Sequence, residues 1–185
     1  IGDFDTLGYC PKGANVIQLD TAKDDTDTLA ALREGIRLGY SLFHLYGGTG
    51  GRIDHTIANL QLLAFLSREG RQGYLHEGNC VLTAITDGAL FLPPREAGYV
   101  SVFACSDQAE GVFLQGLKYE LEDACLKNTF PLGTSNEFVG TKSSISVRKG
   151  TLLIVLPEDM ARPSGHLAFW QSEKPPAAIV QAVQA

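Results

Sequence analysis

The chain has 185 residues, 44% of them hydrophobic and 19% charged, so it can bury a real core as one domain or two small ones. Its net charge of −6 and its scattered Lys and Arg residues exclude an electrostatic footprint for nucleic acid or an anionic membrane. No apolar run reaches the ~20 residues that span a bilayer, and no signal-like segment opens the chain, so we expect a cytoplasmic protein without nucleic-acid or membrane partners. The four cysteines are too widely spaced for a metal knuckle and are expected to be reduced and mostly buried.

The first part of the chain alternates predicted strands and helices. A short apolar run predicts a strand over 14–19, and apolar residues on one face predict a helix over 28–38. A strand over 40–46 runs into a glycine-rich loop, and a second helix is predicted over 55–67. This order favours a parallel, Rossmann-like sheet in an α/β domain.

After Gly70 the helical period gives way to short β-type runs separated by Gly, Pro and Asn. These runs predict strands over 73–76, 81–86, 99–105, 112–114, 144–147 and 152–156. They indicate an all-β domain resembling a sandwich or barrel. The division between the α/β pattern and the all-β pattern falls between Gly78 and Pro94, and we assign the two domains to 1–78 and 79–185.

Three short acidic segments lie within the first 55 residues: Gly2-Asp3-Phe4-Asp5-Thr6, Lys23-Asp24-Asp25-Thr26-Asp27 and Gly50-Gly51-Arg52-Ile53-Asp54-His55. Glycine lets a backbone approach a ligand closely, and nearby carboxylates can hold a divalent cation. The second and third segments each lie between a predicted strand and a predicted helix, where α/β sheets bind ligands. The pattern therefore predicts a Mg²⁺-dependent site for phosphorylated substrates.

Each of these residues also has a plainer interpretation. Asp27 or Asp54 can cap its helix, because acidic residues in a first turn are favoured by the helix dipole alone. Asp3 and Asp5 can be turn residues, and His55 can be a packing residue. The glycines over 47–51 match neither a phosphate-binding P-loop nor a dinucleotide motif. The combination, and no single motif, supports the phosphate site.

Taken in order, the motifs resemble those of the thiamine pyrophosphokinase family, also called thiamin diphosphokinase. The first domain carries Ile-Gly-Asp-Phe-Asp-Thr from residue 1, Lys-Asp-Asp-Thr-Asp-Thr from residue 23 and Gly-Gly-Arg-Ile-Asp-His-Thr-Ile-Ala-Asn-Leu from residue 50. The second carries Gly-Val-Phe-Leu-Gln-Gly-Leu-Lys-Tyr-Glu-Leu from residue 111 and Gly-Thr-Ser-Asn-Glu from residue 133. The resemblance runs from residue 1 to about residue 156.

The resemblance implies transfer of a pyrophosphoryl group from ATP to the hydroxyethyl oxygen of thiamine, giving thiamine diphosphate and AMP. It implies that 1–78 is a catalytic domain that binds ATP and Mg²⁺, and that 79–185 binds thiamine. The family is homodimeric, with each site between the catalytic domain of one chain and the β domain of the other. By residue-wise carry-over, the catalytic and metal-binding residues are Asp3, Asp5, Asp27 and Asp54, the ATP-binding residues are Thr26, Gly51, Arg52 and His55, and the thiamine-binding residues are Ser135 and Asn136.

The chain opens inside a motif that in this family follows a unit of ~30 or more residues, so we expect an N-terminally incomplete catalytic domain. One alternative is an inactive thiamine- or nucleotide-binding module of the same family. A more distant alternative is a haloacid-dehalogenase-type phosphatase, because Asp3-Phe4-Asp5-Thr6-Leu7 approaches a motif whose first aspartate is a nucleophile. That alternative fails at Leu7 and leaves the later motifs unexplained.

Overall fold

The computed structural model describes residues 1–2, 4, 8–10, 12, 16–20 and 24–161, together with the backbone of 168–171. Asp3, Asp5 and the beginning of the strand predicted over 14–19 lie outside the described residues. The second half of that strand pairs with Gly2, whose N–H donates to the Ile17 carbonyl at 3.1 Å and whose carbonyl accepts the Leu19 N–H at 2.8 Å. The predicted strand is therefore represented by one parallel bridge between Gly2 and Gln18.

Both predicted helices form. The first begins and ends one residue earlier than predicted, and the second begins two residues earlier and ends one residue later. Helix α1 spans Asp27–Arg37 and helix α2 spans Ile53–Arg68. Thr26 caps α1, since its hydroxyl oxygen accepts the Leu29 N–H at 3.2 Å. Both helices have an acidic residue in the first turn and a basic one in the last, which suits the helix dipole.

A six-stranded sheet forms the centre of the molecule, in the order β1-β2-β3-β10-β5-β8. Only β1 and β2 are parallel among its described pairs, so the predicted parallel sheet is corrected to a mixed sheet. The cause is the two-residue turn Gly78–Asn79, which sends the chain straight back from β2 into β3. Gly78 has a φ of 55°, a conformation that glycine adopts readily. The strands are β1 Leu42–Tyr46, β2 Gln72–Glu77, β3 Cys80–Thr86, β5 Tyr99–Ala104, β8 Gly133–Glu137 and β10 Thr151–Pro157.

An antiparallel sheet in the order β11-β4-β9-β6-β7 lies against the first sheet, as the all-β prediction required. A large apolar core is shared by both sheets, with Leu90, Leu114 and Ile145 from one and Val102 and Ile154 from the other. The short 3₁₀ helix Glu158–Ala161 adds Met160 to this core. The strands are β4 Gly88–Leu92, β6 Gln108–Gln115, β7 Leu121–Lys127, β9 Ser143–Lys149 and β11 Ala168–Gln171.

The six-stranded sheet crosses the predicted division between 78 and 79. Strands β1 and β2 come from the first part and the other four from the second. On the opposite face, α1 and α2 cover a second apolar cluster in which Phe43 and Leu75 pack with Ala84. The assigned domains are therefore contiguous in one sheet, and their boundary stays a prediction.

Two further observations bear on the sequence-based expectations. Cys10, Cys105 and Cys125 are exposed and Cys80 is half-buried, so the expectation of mostly buried thiols is wrong. Within the described part of the chain, neither helix has the length and apolar character needed to cross a membrane.

Candidate active site

The first two acidic segments meet beside Gly2. A Cβ placed on Gly2 would lie 3.1 Å from Oδ2 of Asp27, so the Asp27 carboxylate lies directly over this glycine's backbone. The next residue is Asp3, which is outside the described residues, as is Asp5. Thr26, predicted to bind ATP, holds the start of α1 and so sets the position of Asp27. The structure thus brings the second acidic cluster to the first.

The glycine-rich loop leaves the carboxyl end of β1 and enters α2. Gly47, Gly50 and Gly51 have φ values of 68°, 79° and 59°, and a Cβ on any of them would meet nothing within 4 Å. These three residues therefore present open backbone, to which a ligand can come close. In the described part of the chain, the buried hydroxyl oxygen of Thr49 in the same loop has no hydrogen-bond partner. Such an atom favours a site that a polar ligand completes.

Asn59 of α2 lies in the third motif, but no role was predicted for it from the sequence. Its side chain is only 6% exposed, and its Nδ2 donates to the Gly48 carbonyl at 2.7 Å. A Cβ on Gly48 would lie 2.8 Å from Cδ1 of Leu75 and 3.0 Å from Nδ2 of Asn59. The middle of the loop is therefore clamped while its two ends are open. The available signal was an asparagine among apolar residues, about two turns into the helix that follows a glycine loop.

Arg52 and Asp54 form an exposed ion pair at the start of α2. The Arg52 guanidinium donates from Nε to Oδ1 of Asp54 at 3.2 Å and from Nη2 to Oδ2 at 2.5 Å. These hydrogen bonds hold the pKa of Asp54 at about 2. His55 follows on the same exposed first turn. All three predicted residues therefore lie together at the helix N-terminus, whose dipole favours phosphate.

Ser135 and Asn136 lie on β8 and differ sharply in their surroundings. Ser135 is exposed and has a φ of 56°, a conformation that non-glycine residues adopt rarely and that is often found at functional sites. The Asn136 side chain is only 3% exposed. Its Oδ1 accepts the N–H groups of Tyr119 at 3.0 Å and Glu137 at 2.9 Å, while its Nδ2 donates to the Tyr119 carbonyl at 2.7 Å. Asn136 therefore fixes the backbone of Tyr119 beside β8, while Ser135 is exposed to solvent.

The glycine loop and Ser135 lie at opposite sides of the six-stranded sheet. Among the described residues, the loop follows one edge strand of this sheet, β1, and the other edge strand is β8. Five strand spacings of about 4.8 Å separate the edges by roughly 24 Å. One chain therefore does not bring the loop and Ser135 into contact.

The predicted acidic residues fit a divalent cation by their chemistry. Asp3, Asp5, Asp27 and Asp54 offer carboxylate oxygens, the ligands that Mg²⁺ prefers. Among the described residues, no group of three or more His, Cys, Asp and Glu side chains is arranged to hold a metal ion. Asp27 beside Gly2 is the described member of the set that reaches the segment containing Asp3.

The fold and site together define a class: an α/β unit with a glycine loop and acidic residues suited to phosphate chemistry, continued by a β unit with a separate polar surface. Family comparison makes this specific. The model described as "Thiamin pyrophosphokinase, catalytic domain" matches residues 1–75, and the one described as "Thiamin pyrophosphokinase, vitamin B1 binding domain" matches residues 90–152. The chain belongs to the thiamin pyrophosphokinase family, and the resemblance inferred from its motifs is confirmed.

Individual relatives agree with this assignment. The chain is 27% identical over 165 residues to thiamine pyrophosphokinase of Bacillus subtilis (strain 168), covering 85% of this chain and 77% of the relative. Against the crystal structure of the Bacillus subtilis enzyme, the TM-score is 0.68 at 27% identity, covering 74% of this chain and 64% of that one. A thiamin pyrophosphokinase family protein from Enterococcus faecalis gives a TM-score of 0.69 at 28% identity, covering 84% and 77%. The aligned part of this chain thus spans under two thirds of the length of the solved Bacillus subtilis chain.

Proposed function

We propose that this protein is a thiamine pyrophosphokinase, which transfers the pyrophosphoryl group of ATP to the thiamine hydroxyl and releases AMP. Matches to both domains of the family, in order, and relatives named for this activity support the proposal. The observation that carries it is the approach of Asp27 to Gly2, because a shared cation and phosphate site requires the first two acidic segments to be adjacent.

The acidic residues and the loop have separate tasks in this reaction. Asp3, Asp5, Asp27 and Asp54 are proposed to hold Mg²⁺, which when bound neutralises charge on the ATP phosphates. The open backbone of Gly51 and the side chains of Arg52 and His55 then contact the phosphates. Positioning and charge neutralisation are most of what phosphoryl-type transfer needs.

The proton of the thiamine hydroxyl must be accepted as the new P–O bond forms. Asp27 and Asp54 are the two described candidates. Arg52 lowers the pKa of Asp54 to about 2, so Asp54 is a weak base while this ion pair is intact. Because Asp27, on the first turn of α1, and Asp54 are both proposed Mg²⁺ ligands, we propose that the base is the one of the two that does not bind the metal in the complex.

The thiamine surface is proposed to lie around Ser135. Four aromatic or aliphatic side chains near β8 are more than half exposed: Tyr99, Tyr119, Phe130 and Leu132. Exposed apolar groups clustered about a polar residue are typical of binding surfaces. They suit a flat, cationic heteroaromatic substrate and an adjoining protein chain.

The separation of the two half-sites supports a homodimer. Because the loop and Ser135 are roughly 24 Å apart by strand spacing, we propose that each site combines the loop of one chain with β8 of its partner. Two such sites form in a symmetric pair. Since ATP is a co-substrate, we place the reaction in the cytoplasm.

A mass-resolved product assay tests the proposal. The protein is incubated with ATP, Mg²⁺ and thiamine, with parallel reactions lacking thiamine or containing EDTA. Thiamine diphosphate and AMP appearing together, and disappearing in both controls, is the expected result. ADP with thiamine monophosphate contradicts pyrophosphoryl transfer, and no thiamine-dependent product favours the binding module.

A further inference from the structure

A buried chain of hydrogen bonds links the 3₁₀ helix to the middle of β1. Nδ1 of His76 lies 2.7 Å from Oε1 of Glu158, and Nε2 of His76 lies 2.7 Å from Nδ1 of His44. His44 and His76 are both buried, at 4% and 9% exposure. A row of this kind, reaching from the β unit to the α/β unit, has no role in the activity proposed above.

Glu158 sets the direction of the hydrogen bonds in this chain. A carboxylate only accepts, so His76 donates its Nδ1–H to Glu158. In neutral His76 the other ring nitrogen then accepts, and His44 donates its Nδ1–H to it. The carboxylate thus fixes the orientation of the His76 ring.

The His76 ring in turn supports the entry to the glycine loop. It stacks on the Tyr46 ring with centroids 4.2 Å apart and planes inclined by 12°. Tyr46 and His76 are also the last partners of the β1–β2 ladder, and Gly47 follows at once. On the opposite face of β2, the adjacent Leu75 lies under Gly48. The end of β2 therefore supports the loop from both faces.

We propose that His76, held by Glu158, is a positioning residue for the glycine loop. The inference rests on the proposed function for the loop's task, which is to contact ATP phosphates. Glu158, a residue of the β unit, thus helps to order a loop in the α/β unit. Loss of the hydrogen bond then loosens the loop without removing any group that touches substrate.

Two variants separate this role from general stability. His76→Phe keeps a ring against Tyr46 and removes both nitrogens, while Glu158→Gln keeps the side-chain size and removes the charge. Glu77→Gln is the matched control, because Glu77 is an exposed carboxylate on β2 next to His76. Limited trypsin digestion with mass analysis compares the cut after Arg52, at the end of the loop, with the cut after exposed Lys149, the last residue of β9.

For His76→Phe we expect the Arg52 cut to speed up about tenfold relative to the Lys149 cut, since a hydrogen bond to a charged group is lost. Glu158→Gln should raise the ratio of the Arg52 cutting rate to the Lys149 cutting rate by a smaller factor, and Glu77→Gln should leave this ratio unchanged. In turnover assays the first two variants raise KM for ATP while kcat stays within about twofold.

An unchanged ratio in both test variants overturns the proposal, and so does an equal rise at Arg52 and Lys149. If His76→Phe does not fold, Glu158→Gln decides alone. Absence of turnover in the wild-type protein counts against the proposed function, while the ratio of the two cuts still decides the role of His76.

Discussion

Tyr46 and Asn136 lie on the two edge strands of one six-stranded sheet, β1 and β8. Tyr46 leads into the glycine loop, and Asn136 orders the backbone of Tyr119 beside Ser135. The loop proposed to contact ATP is therefore at one edge, and the surface proposed for thiamine is at the other. This arrangement is the basis for the proposal that each site is assembled from two chains.

Replacing Asp54 tests the acidic site. Asp54→Asn is expected to lower kcat by about a hundredfold, since it removes a proposed ligand of the Mg²⁺ ion that neutralises phosphate charge. The free energy of unfolding should change little, because the carboxylate is 62% exposed and surface ion pairs contribute little. Steady-state kinetics and urea denaturation measure the two quantities.

Asp123→Asn is the matched control for Asp54→Asn. Asp123 also forms an exposed ion pair, at 3.0 Å to Arg148, but on the antiparallel sheet. Its replacement should change neither kcat nor stability. Equal activity of the Asp54 and Asp123 variants would remove Asp54 from the site.

The hydrogen bond from Asn59 to the Gly48 carbonyl, which clamps the middle of the glycine loop, is expected to affect both ATP binding and stability. Asn59→Leu removes the donor to the Gly48 carbonyl, which should cost about 1–3 kcal/mol of unfolding free energy and raise KM for ATP. Ser67→Ala provides the comparison, because Ser67 is a buried polar residue of the same helix that bonds Thr86 far from the loop. It should lower stability with KM unchanged. A KM that rises equally in both variants contradicts a specific role for the clamp.

Gly2 is expected to be required for the position of Asp27. Gly2→Ala places a methyl group 3.1 Å from the Asp27 carboxylate, which must shift by a few tenths of an ångström. Such a displacement should lower kcat about tenfold and raise the Mg²⁺ concentration needed for half-maximal rate. Gly48→Ala is not a suitable comparison, because it clashes with Leu75. Gly8→Ala strains the backbone, since Gly8 has a φ of 69°, but its methyl group contacts nothing within 4 Å, so it controls for backbone strain without contact to Asp27. Wild-type Mg²⁺ dependence in Gly2→Ala would show that this contact is unimportant.

Stability should fall as the solution is acidified from pH 7.5 to 5. Burial, followed by the neighbouring His76, lowers the pKa of His44 below its ordinary value of about 6.5. The folded state then binds fewer protons than the unfolded state. The contribution of His44 to the free energy of unfolding is therefore full above pH 6.5 and is lost as the pH falls through the lowered pKa. Urea midpoints across this range measure the slope, and His44→Phe should flatten it; a slope that persists in the variant would exclude His44 as its source.

The sequence predicted the helices well because each has a clear pattern and well-marked ends. Four strands, β4, β7, β8 and β11, were not predicted, and the first three were missed for identifiable reasons. Strand β8 reads Gly-Thr-Ser-Asn-Glu, a polar edge strand without apolar alternation, and β7 is mostly exposed on both faces. Strand β4 is a short apolar run between Asp87 and a proline pair. The mixed sheet could not be predicted from the sequence pattern either, because the alternation of strands and helices does not reveal that β3 pairs antiparallel with β2.

The candidate site was predictable where it depends on motifs and not where it depends on packing. Arg52, Asp54 and His55 share one helix start, as their spacing indicated. By contrast, the buried role of Asn136 and the link from Glu158 to His76 join residues 17 and 82 positions away from their partners. Only the folded chain brings such residues together.

Activity in a mixed dimer tests the central claim most directly. Asp54→Asn and Ser135→Arg chains, each expected to have little activity alone, are coexpressed with different tags, and the heterodimer is purified through both. If each site combines the loop of one chain with β8 of the other, one site carries both changes and the other is intact, so about half of wild-type turnover returns. A heterodimer as inactive as its parents would contradict a site shared between chains.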